Sequence, residues 1–163
     1  MKKTFGILLF LVLTQPVFAR QGGLDNAMDI AVSGMIVNRS LIQLSAQNIA
    51  NVDTTRTPGG KGPYARKIAV LRSRGVSNKG KVPDVSGLHG VELADVRDDD
   101  GGFAKVYDPR HPDAGADGFV MYPNVDLASE LVKMGSIQSA FETNSIVFNN
   151  TKQMMQTMLE IGR

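Results

Sequence analysis

The longest uninterrupted apolar pattern lies at the carboxyl end, where residues 127–161 contain no proline and carry Leu127, Leu131, Met134, Phe141, Phe148, Met155 and Leu159 at spacings of three, four or seven. Such spacing places these side chains on one face of an α-helix. Ile137, Val147, Met154, Met158 and Ile161 widen the stripe. Gln138, Ser145 and Lys152 interrupt it every seven residues and read as register-setting positions. Thirty-five helical residues make a rod of roughly 50 Å. That is far longer than a small domain needs for itself, so the pattern predicts a coiled coil or bundle with partners. Pro123 closes the preceding segment, and the Asp126 carboxylate suits the first turn as a cap.

A second stripe occupies residues 24–51, again without proline. Leu24, Met28, Ala31, Met35, Ile42, Ile49 and Val52 form one row, and Ala27, Ile30, Gly34, Val37, Leu41 and Leu44 form an adjacent one. Two rows make a face too broad for a single partner helix. The helix is expected to end at Asp53-Thr54-Thr55 and Pro58-Gly59-Gly60.

Between the helices lie short extended candidates at 64–71, 91–96, 103–107 and 118–122, separated by Gly, Pro and Asp clusters. Asp99-Asp100-Gly101-Gly102 reads as a hairpin turn between the second and third of them. Residues 73–88, rich in Ser, Gly, Lys and Pro, read as a mobile loop. The fold class is therefore α+β: long terminal helices flank a small β-rich middle of about four strands. The organisation is a leader-like segment at 1–19, a helical arm at 20–56, the β-rich middle at 57–123 and a second helical arm at 124–163.

The leader-like segment is legible in form. Lys2 and Lys3 precede an apolar run from Phe5 to Leu13, and Val17-Phe18-Ala19 fits a signal-peptidase site, so cleavage is expected after Ala19. The run falls short of the roughly 20 apolar residues that span a bilayer. No stable membrane insertion is expected once it is removed. Removal takes two lysines, leaving 16 basic and 16 acidic residues from the original 18 and 16.

That zero balance hides a segregation of charge. Residues 54–83 carry eight basic side chains (Arg56, Lys61, Arg66, Lys67, Arg72, Arg74, Lys79, Lys81) and no acid, whereas residues 84–130 carry eleven acids against Arg97, Lys105 and Arg110. The plainer reading has the two blocks facing each other within one domain; the sharper has them meet between subunits. A nucleic-acid surface is not expected, since Tyr64 is the one aromatic residue in the basic block.

Catalytic patterns are missing from the sequence. The chain has no Cys and two His, His89 and His111, so a thiolate or histidine-rich metal site cannot be built. A calcium loop starting at Asp98 would need a carboxylate at its twelfth position, which is Pro109. His111, between Pro109 and Pro112, is expected to bridge to a neighbouring acid. Ser33, Ser86 and Ser136 lack a nucleophile-elbow context, and Gly115-Ala116-Asp117-Gly118 lacks the Lys of a phosphate loop. Neither catalytic residues nor cofactor are assigned, and the protein is not expected to be an enzyme.

Several blocks carry a family likeness. Met28-Asp29-Ile30-Ala31 with Ser33-Gly34, and Ala46-Gln47-Asn48-Ile49-Ala50-Asn51-Val52-Asp53-Thr54, resemble the amino-terminal signature of bacterial flagellar rod and hook proteins. The blocks at 106–114, 117–120 and 122–126, with the closing Lys152-Gln153-Met154-Met155, are similar to those of proximal-rod subunits. The resemblance covers about residues 28–162. It implies a structural subunit of the basal-body rod whose terminal helices pack as a coiled coil around an axial tube that encloses the export channel and transmits torque. Its partners would be further copies, other rod subunits and the membrane-ring and export-gate junction, in a periplasmic position near peptidoglycan. The apolar rows of the two helices supply the subunit-packing residues expected: Met28, Ala31, Met35, Ile42, Ile49, Leu127, Leu131, Met134, Phe141, Phe148, Met155 and Leu159. Asn48, Ala50, Asn51 and Thr54 would mark the end of the first helix, with Asn48 and Asn51 bonding its open backbone groups. Pro123, Asn124, Val125 and Asp126 would mark the entry to the last. Family members are expected to leave the cell through the flagellar export channel without a cleaved leader, so residues 1–19 depart from the pattern. Two alternative readings are a periplasmic coiled-coil adaptor and a periplasmic hydrolase using acids such as Asp98 and Asp108.

Overall fold

The computed structural model describes residues 22–59, 62–75 and 88–162. The leader-like residues and most of the expected loop at 73–88 lie outside that range. Two long helices, α1 (Gly22–Ala50) and α2 (Leu127–Ile161), flank four strands: β1 (Lys67–Gly75), β2 (His89–Asp98), β3 (Ala104–Tyr107) and β4 (Phe119–Tyr122). No helix among the described residues is long and apolar enough to cross a membrane.

The helices run antiparallel against each other. Gly34 lies opposite Asn144, and Leu24 lines a groove with Met154 and Met158. The contact is close at Gly34, where a β-carbon would stand 2.5 Å from the Asn144 side-chain nitrogen. Ala31, Val37 and Leu44 of α1 and Ile137 of α2 are buried. Fully burying side chains such as Val37, Leu44 or Ile137 is worth about 1.5–3 kcal/mol each. One face of each helix is thus satisfied inside the chain, without a neighbour.

Asp126 caps α2 as its position suggests: its backbone is extended and its carboxylate accepts from the Ala128 amide at 3.1 Å. The last turn of α1 tightens where Asn51 N–H reaches the Asn48 carbonyl and Val52 N–H the Ile49 carbonyl, both at 3.2 Å. The Asn51 side chain returns to the Gln47 carbonyl at 2.8 Å, satisfying one of the open groups at the helix end.

The strands differ from their expected pairing. β1 pairs antiparallel with β2, Lys67 opposite Asp98 and Gly75 opposite His89, with an irregularity between Val70 and Leu71. β3 pairs with β4, Lys105 opposite Met121 and Tyr107 opposite Phe119. Residues 99–102 therefore join two separate two-stranded sheets and do not close a hairpin. The Asp99 amide bonds the Arg66 carbonyl across β1 at 2.7 Å, which fixes β2 on β1 before the chain can turn back. Ser73, Arg74 and Gly75, expected in a loop, complete β1, because the ladder with β2 continues through them.

α1 sits between α2 on one side and the β1–β2 hairpin on the other. Ser33 makes the second contact: its hydroxyl donates to the Ile30 carbonyl at 2.7 Å and accepts from the Val91 amide at 3.1 Å. Buried Gly90 leaves room for it, since a β-carbon there would lie 2.7 Å from the Ser33 oxygen. Adjacent Ser33 and Gly34 thereby serve the two sides of the helix.

Gly118 precedes β4 with φ +77°, and a β-carbon on it would stand 2.8 Å from the Tyr107 ring. Gly118→Ala is expected to cost about 1–3 kcal/mol from left-handed strain and the clash. Denaturant titration of the variant measures it, and an unchanged midpoint would contradict the reading.

Candidate assembly surface

A polar knot fixes the helices relative to the strands. Asn48 is wholly buried near the end of α1, and its side-chain amide pairs with the backbone of Lys67 as a neighbouring strand would. Nδ2 donates to the Lys67 carbonyl at 2.9 Å, while Oδ1 accepts from the Lys67 amide at 2.8 Å and the Tyr64 hydroxyl at 2.9 Å. Asn48 was expected to serve its own helix terminus. It starts β1 instead, because a planar amide presents a donor and an acceptor side by side as a peptide unit does. Tyr64 is buried there, and burial, with the nearby Asp98 and Glu130 charges, pushes its hydroxyl pKa up.

Arg66 is the centre of the knot. Its guanidinium reaches Glu130 of α2 through Nε at 2.7 Å and Nη2 at 2.6 Å, and Asp99 through Nη1 at 3.1 Å. These partners, Glu130 foremost, hold its pKa above the ordinary value. The Glu130 side chain is fully buried. Burial alone would push its pKa up, but the Arg66 bond, the Ser45 hydroxyl facing it from α1 and the Lys133 charge outweigh that and hold it below the usual glutamate range. Oε2 and the Ser45 hydroxyl are buried without a hydrogen-bond partner among the described residues. Asp99 is held low by the Gly101 amide and by Arg66. Asn124 completes the knot: Oδ1 accepts from the Arg66 amide at 2.8 Å, and Nδ2 donates to the carbonyls of Asp99 and Gly101 at 3.3 and 3.0 Å.

The segregated charges meet inside the chain. Arg56 pairs with Asp113, Arg66 with Asp99 and Glu130, Lys67 with Asp98, and Arg72 with Glu92. Each joins the basic block to the acidic one. His111 differs from expectation: its Nδ1 accepts from the Asp113 backbone amide at 3.1 Å and bridges to no carboxylate.

Of the expected interface residues on α1, Ala31 is buried and Met28, Met35, Ile42 and Ile49 are half-buried. On α2, Met134, Phe148 and Met155 are half-buried, whereas Leu127, Leu131, Phe141 and Leu159 are exposed. The buried positions of α2 are Glu130, Ile137 and Thr151, and Asn144 lies on the same heptad row against Gly34. The row of α2 buried deepest against α1 is thus offset from the most apolar row, and three of its four residues are polar, with Met134, Phe148 and Met155 half-buried beside it. Among the motif residues, Pro123 is buried, Asn51, Thr54 and Val125 are half-buried, and Ala50 and Asp126 are exposed. Tyr64, Arg66, Ser45 and Glu130 were not singled out from sequence. A glutamate next to the apolar positions of α2 is the one signal that could have pointed there.

Away from the seam, α2 is exposed but hardly charged. Val132 is 72% exposed and Ile146 59%, with Leu131, Val147 and Met154 beside them. Only Glu130, Lys133, Glu142, Lys152 and Glu160 are ionisable among its 35 residues. Its hydroxyls turn inward: Ser136 donates to the Val132 carbonyl, Ser139 to Gly135 and Thr143 to Ser139. A helix meant for water carries charge on its outer face; this one offers apolar side chains among uncharged hydroxyls and amides such as Asn149, Asn150, Gln153 and Gln156. Among the described residues no cluster of His, Cys, Asp or Glu is arranged to hold a metal.

Comparison with known proteins agrees with such a surface. Residues 116–161 match the family described as flagellar basal body rod FlgEFG protein C-terminal. The chain is 39% identical over 150 residues to the flagellar basal-body rod protein FlgC of Borreliella burgdorferi and 35% over 146 residues to that of Bacillus subtilis. It is 31% identical over 138 residues to the Salmonella typhimurium protein, and each match covers 85% of this chain and 97% of the relative. A long helical pair whose second helix has a sparsely charged outer face and a match along nearly the full length of these relatives lead to one conclusion: the chain belongs to the FlgC family of flagellar basal-body rod proteins, structural subunits of the rod.

Proposed function

We propose that this rod subunit works in the periplasm and joins its neighbours through its terminal helices, which pack as a coiled coil into a tube around the export channel. The observation that carries this is the exposed, nearly uncharged face of α2, centred on Val132 and Ile146. Leu127 and Leu131 flank this face; Phe141 and Leu159, also left open by α1, lie on the opposite side of the helix and form a second apolar strip beside the seam, while Met28, Ala31, Met35, Ile42, Ile49, Met134, Phe148 and Met155 hold the pair together or line its edges. Further rod subunits are the partners, with the membrane-ring and export-gate junction below and peptidoglycan around them. The β-rich middle, 57–123, faces outward from the helical arms 20–56 and 124–163. The adaptor and hydrolase readings are not favoured by any feature of the site.

Residues 1–19 act as a secretory leader in this account, cut after Ala19, on the strength of Lys2-Lys3, the apolar run and Val17-Phe18-Ala19. Mass spectrometry of purified basal bodies tests location and processing together. The expected finding is this subunit among the rod proteins with its amino terminus at Arg20 or Gln21. Intact Met1 in the assembled structure would overturn the leader, and absence from basal bodies would overturn the role.

A further inference from the structure

Along α2 the apolar pattern does not fix where the helix stops against α1. Leu127, Met134, Phe141, Phe148 and Met155 recur every seven residues, so sliding α2 by one heptad lays this row onto itself, each side chain replaced by another large apolar one. Seven helical residues span about 10 Å. A slide of that size would carry Glu130 away from Arg66, which bonds it at 2.7 and 2.6 Å. The subunit therefore needs one register, and its apolar residues do not choose it.

A steric feature in the middle of the pair does choose it. Gly34 stands inside α1, where a glycine weakens a helix relative to alanine. Its missing side chain is used: a β-carbon there would lie 2.5 Å from Nδ2, 3.1 Å from Cγ and 3.4 Å from Oδ1 of Asn144, so the whole amide head sits in the notch. Seven residues to either side, α1 carries Ala27 and Leu41, and in a register slipped by one heptad Asn144 would meet one of those side chains. The α2 residues that would come to the notch instead are Ile137 and Thr151, both stiffened by branching at the β-carbon. Gln138 and Lys152, whose spacing with Ser145 suggested a register-setting row, are exposed. We propose that Gly34 and Asn144 form a register key, a notch and a tooth that seat α2 at one position along α1 and so deliver Glu130 to Arg66. Asn144 is thus a positioning residue for the buried carboxylate.

The test is made on the free subunit and is independent of assembly. The chain has no native cysteine, and Leu24 lines a groove with Met154. Leu24→Cys with Met154→Cys reports the seated register, and Leu24→Cys with Val147→Cys or with Ile161→Cys reports a slide of one heptad in either direction. A thiol-bridging reagent much shorter than the step of about 10 Å traps whichever register is visited. The key predicts ready bridging of the 24–154 pair and slow bridging of the other two, with a rise of about tenfold or more at the slipped pairs on Asn144→Ala. Thr151→Ala, one heptad on in the same row, is expected to leave them slow. An unchanged slipped rate on Asn144→Ala would overturn the key, and so would an equal rise on Thr151→Ala, because the whole seam would then be loosened. Gly34→Ala, with the notch filled, is expected to lose the 24–154 bridge about tenfold or more and to regain it when Asn144→Ala is added. Retention of the bridge in Gly34→Ala alone, or its absence from the double variant, would overturn the fit.

Discussion

Val132→Asp in α2 is expected to leave the isolated subunit as stable as wild type to within about 0.5 kcal/mol and to abolish its entry into the rod. The side chain is 72% exposed, so an aspartate there remains hydrated in the free protein. In the assembled rod it would be taken out of water against an apolar neighbour with no cation placed to receive it. Desolvating an uncompensated charge costs several kcal/mol, and the penalty recurs at every subunit. Ile146→Asp, 59% exposed on the same helix, should behave alike. Val132→Leu, which keeps the surface apolar, should assemble. The measurements are denaturant titration of the free variants, swimming in soft agar and the subunit content of purified basal bodies. Motile cells carrying Val132→Asp would place the contact elsewhere on the molecule.

The second large effect is internal. Glu130→Ala leaves the Arg66 guanidinium facing Asp99 alone, with its two bonds to α2 gone and a cavity beside Ser45. Breaking a buried pair by removing one partner costs about 3–5 kcal/mol; Arg66 retains 24% exposure and can recover some hydration, which favours the lower end. The pH dependence follows from the depressed carboxyl. Its contribution is complete above the ordinary glutamate value of 4.5 and is lost as the pH falls through the lower value in the folded chain. Wild type should therefore lose stability in acid more steeply than Glu130→Gln, which has no proton to take up at that site. Parallel curves for the two proteins would show that the carboxylate charge is not what holds α2 to the strands.

The sequence made some of this legible and hid the rest for physical reasons. The bounds of α2 follow from local signals, a buried Pro123, the Asp126 cap and thirty-five residues without a second proline. Strand pairing is not local. Asp99-Asp100-Gly101-Gly102 has good turn chemistry, and the Asp99 carboxylate does accept from the Gly101 amide at 3.1 Å. What β2 pairs with is decided elsewhere, by Asn48 gripping Lys67 and by Asn124 gripping Arg66, contacts 19 and 58 residues apart in sequence. The rotation of α2 was hidden for a related reason. Period alone points the most apolar row at the partner helix, but Glu130, Asn144 and Thr151 occupy the seam beside Ile137. One oxygen of the buried glutamate is bonded by Arg66, just before β1, and Thr151 donates to the Val147 carbonyl of its own helix at 2.8 Å. With polar residues taking the inner face, the surplus apolar ones are left outward, and that surplus marks a subunit built for a polymer.

Thiol accessibility at position 132 tests that claim most directly, since the chain has no cysteine of its own to interfere. A Val132→Cys subunit is treated with a maleimide, free in solution and within purified basal bodies, with Arg97→Cys, exposed on β2, as the reference site. The account predicts rapid labelling of the free subunit and protection of about a hundredfold or more in the basal body, while the reference site labels in both. Equal labelling of position 132 in the free and assembled states would contradict it.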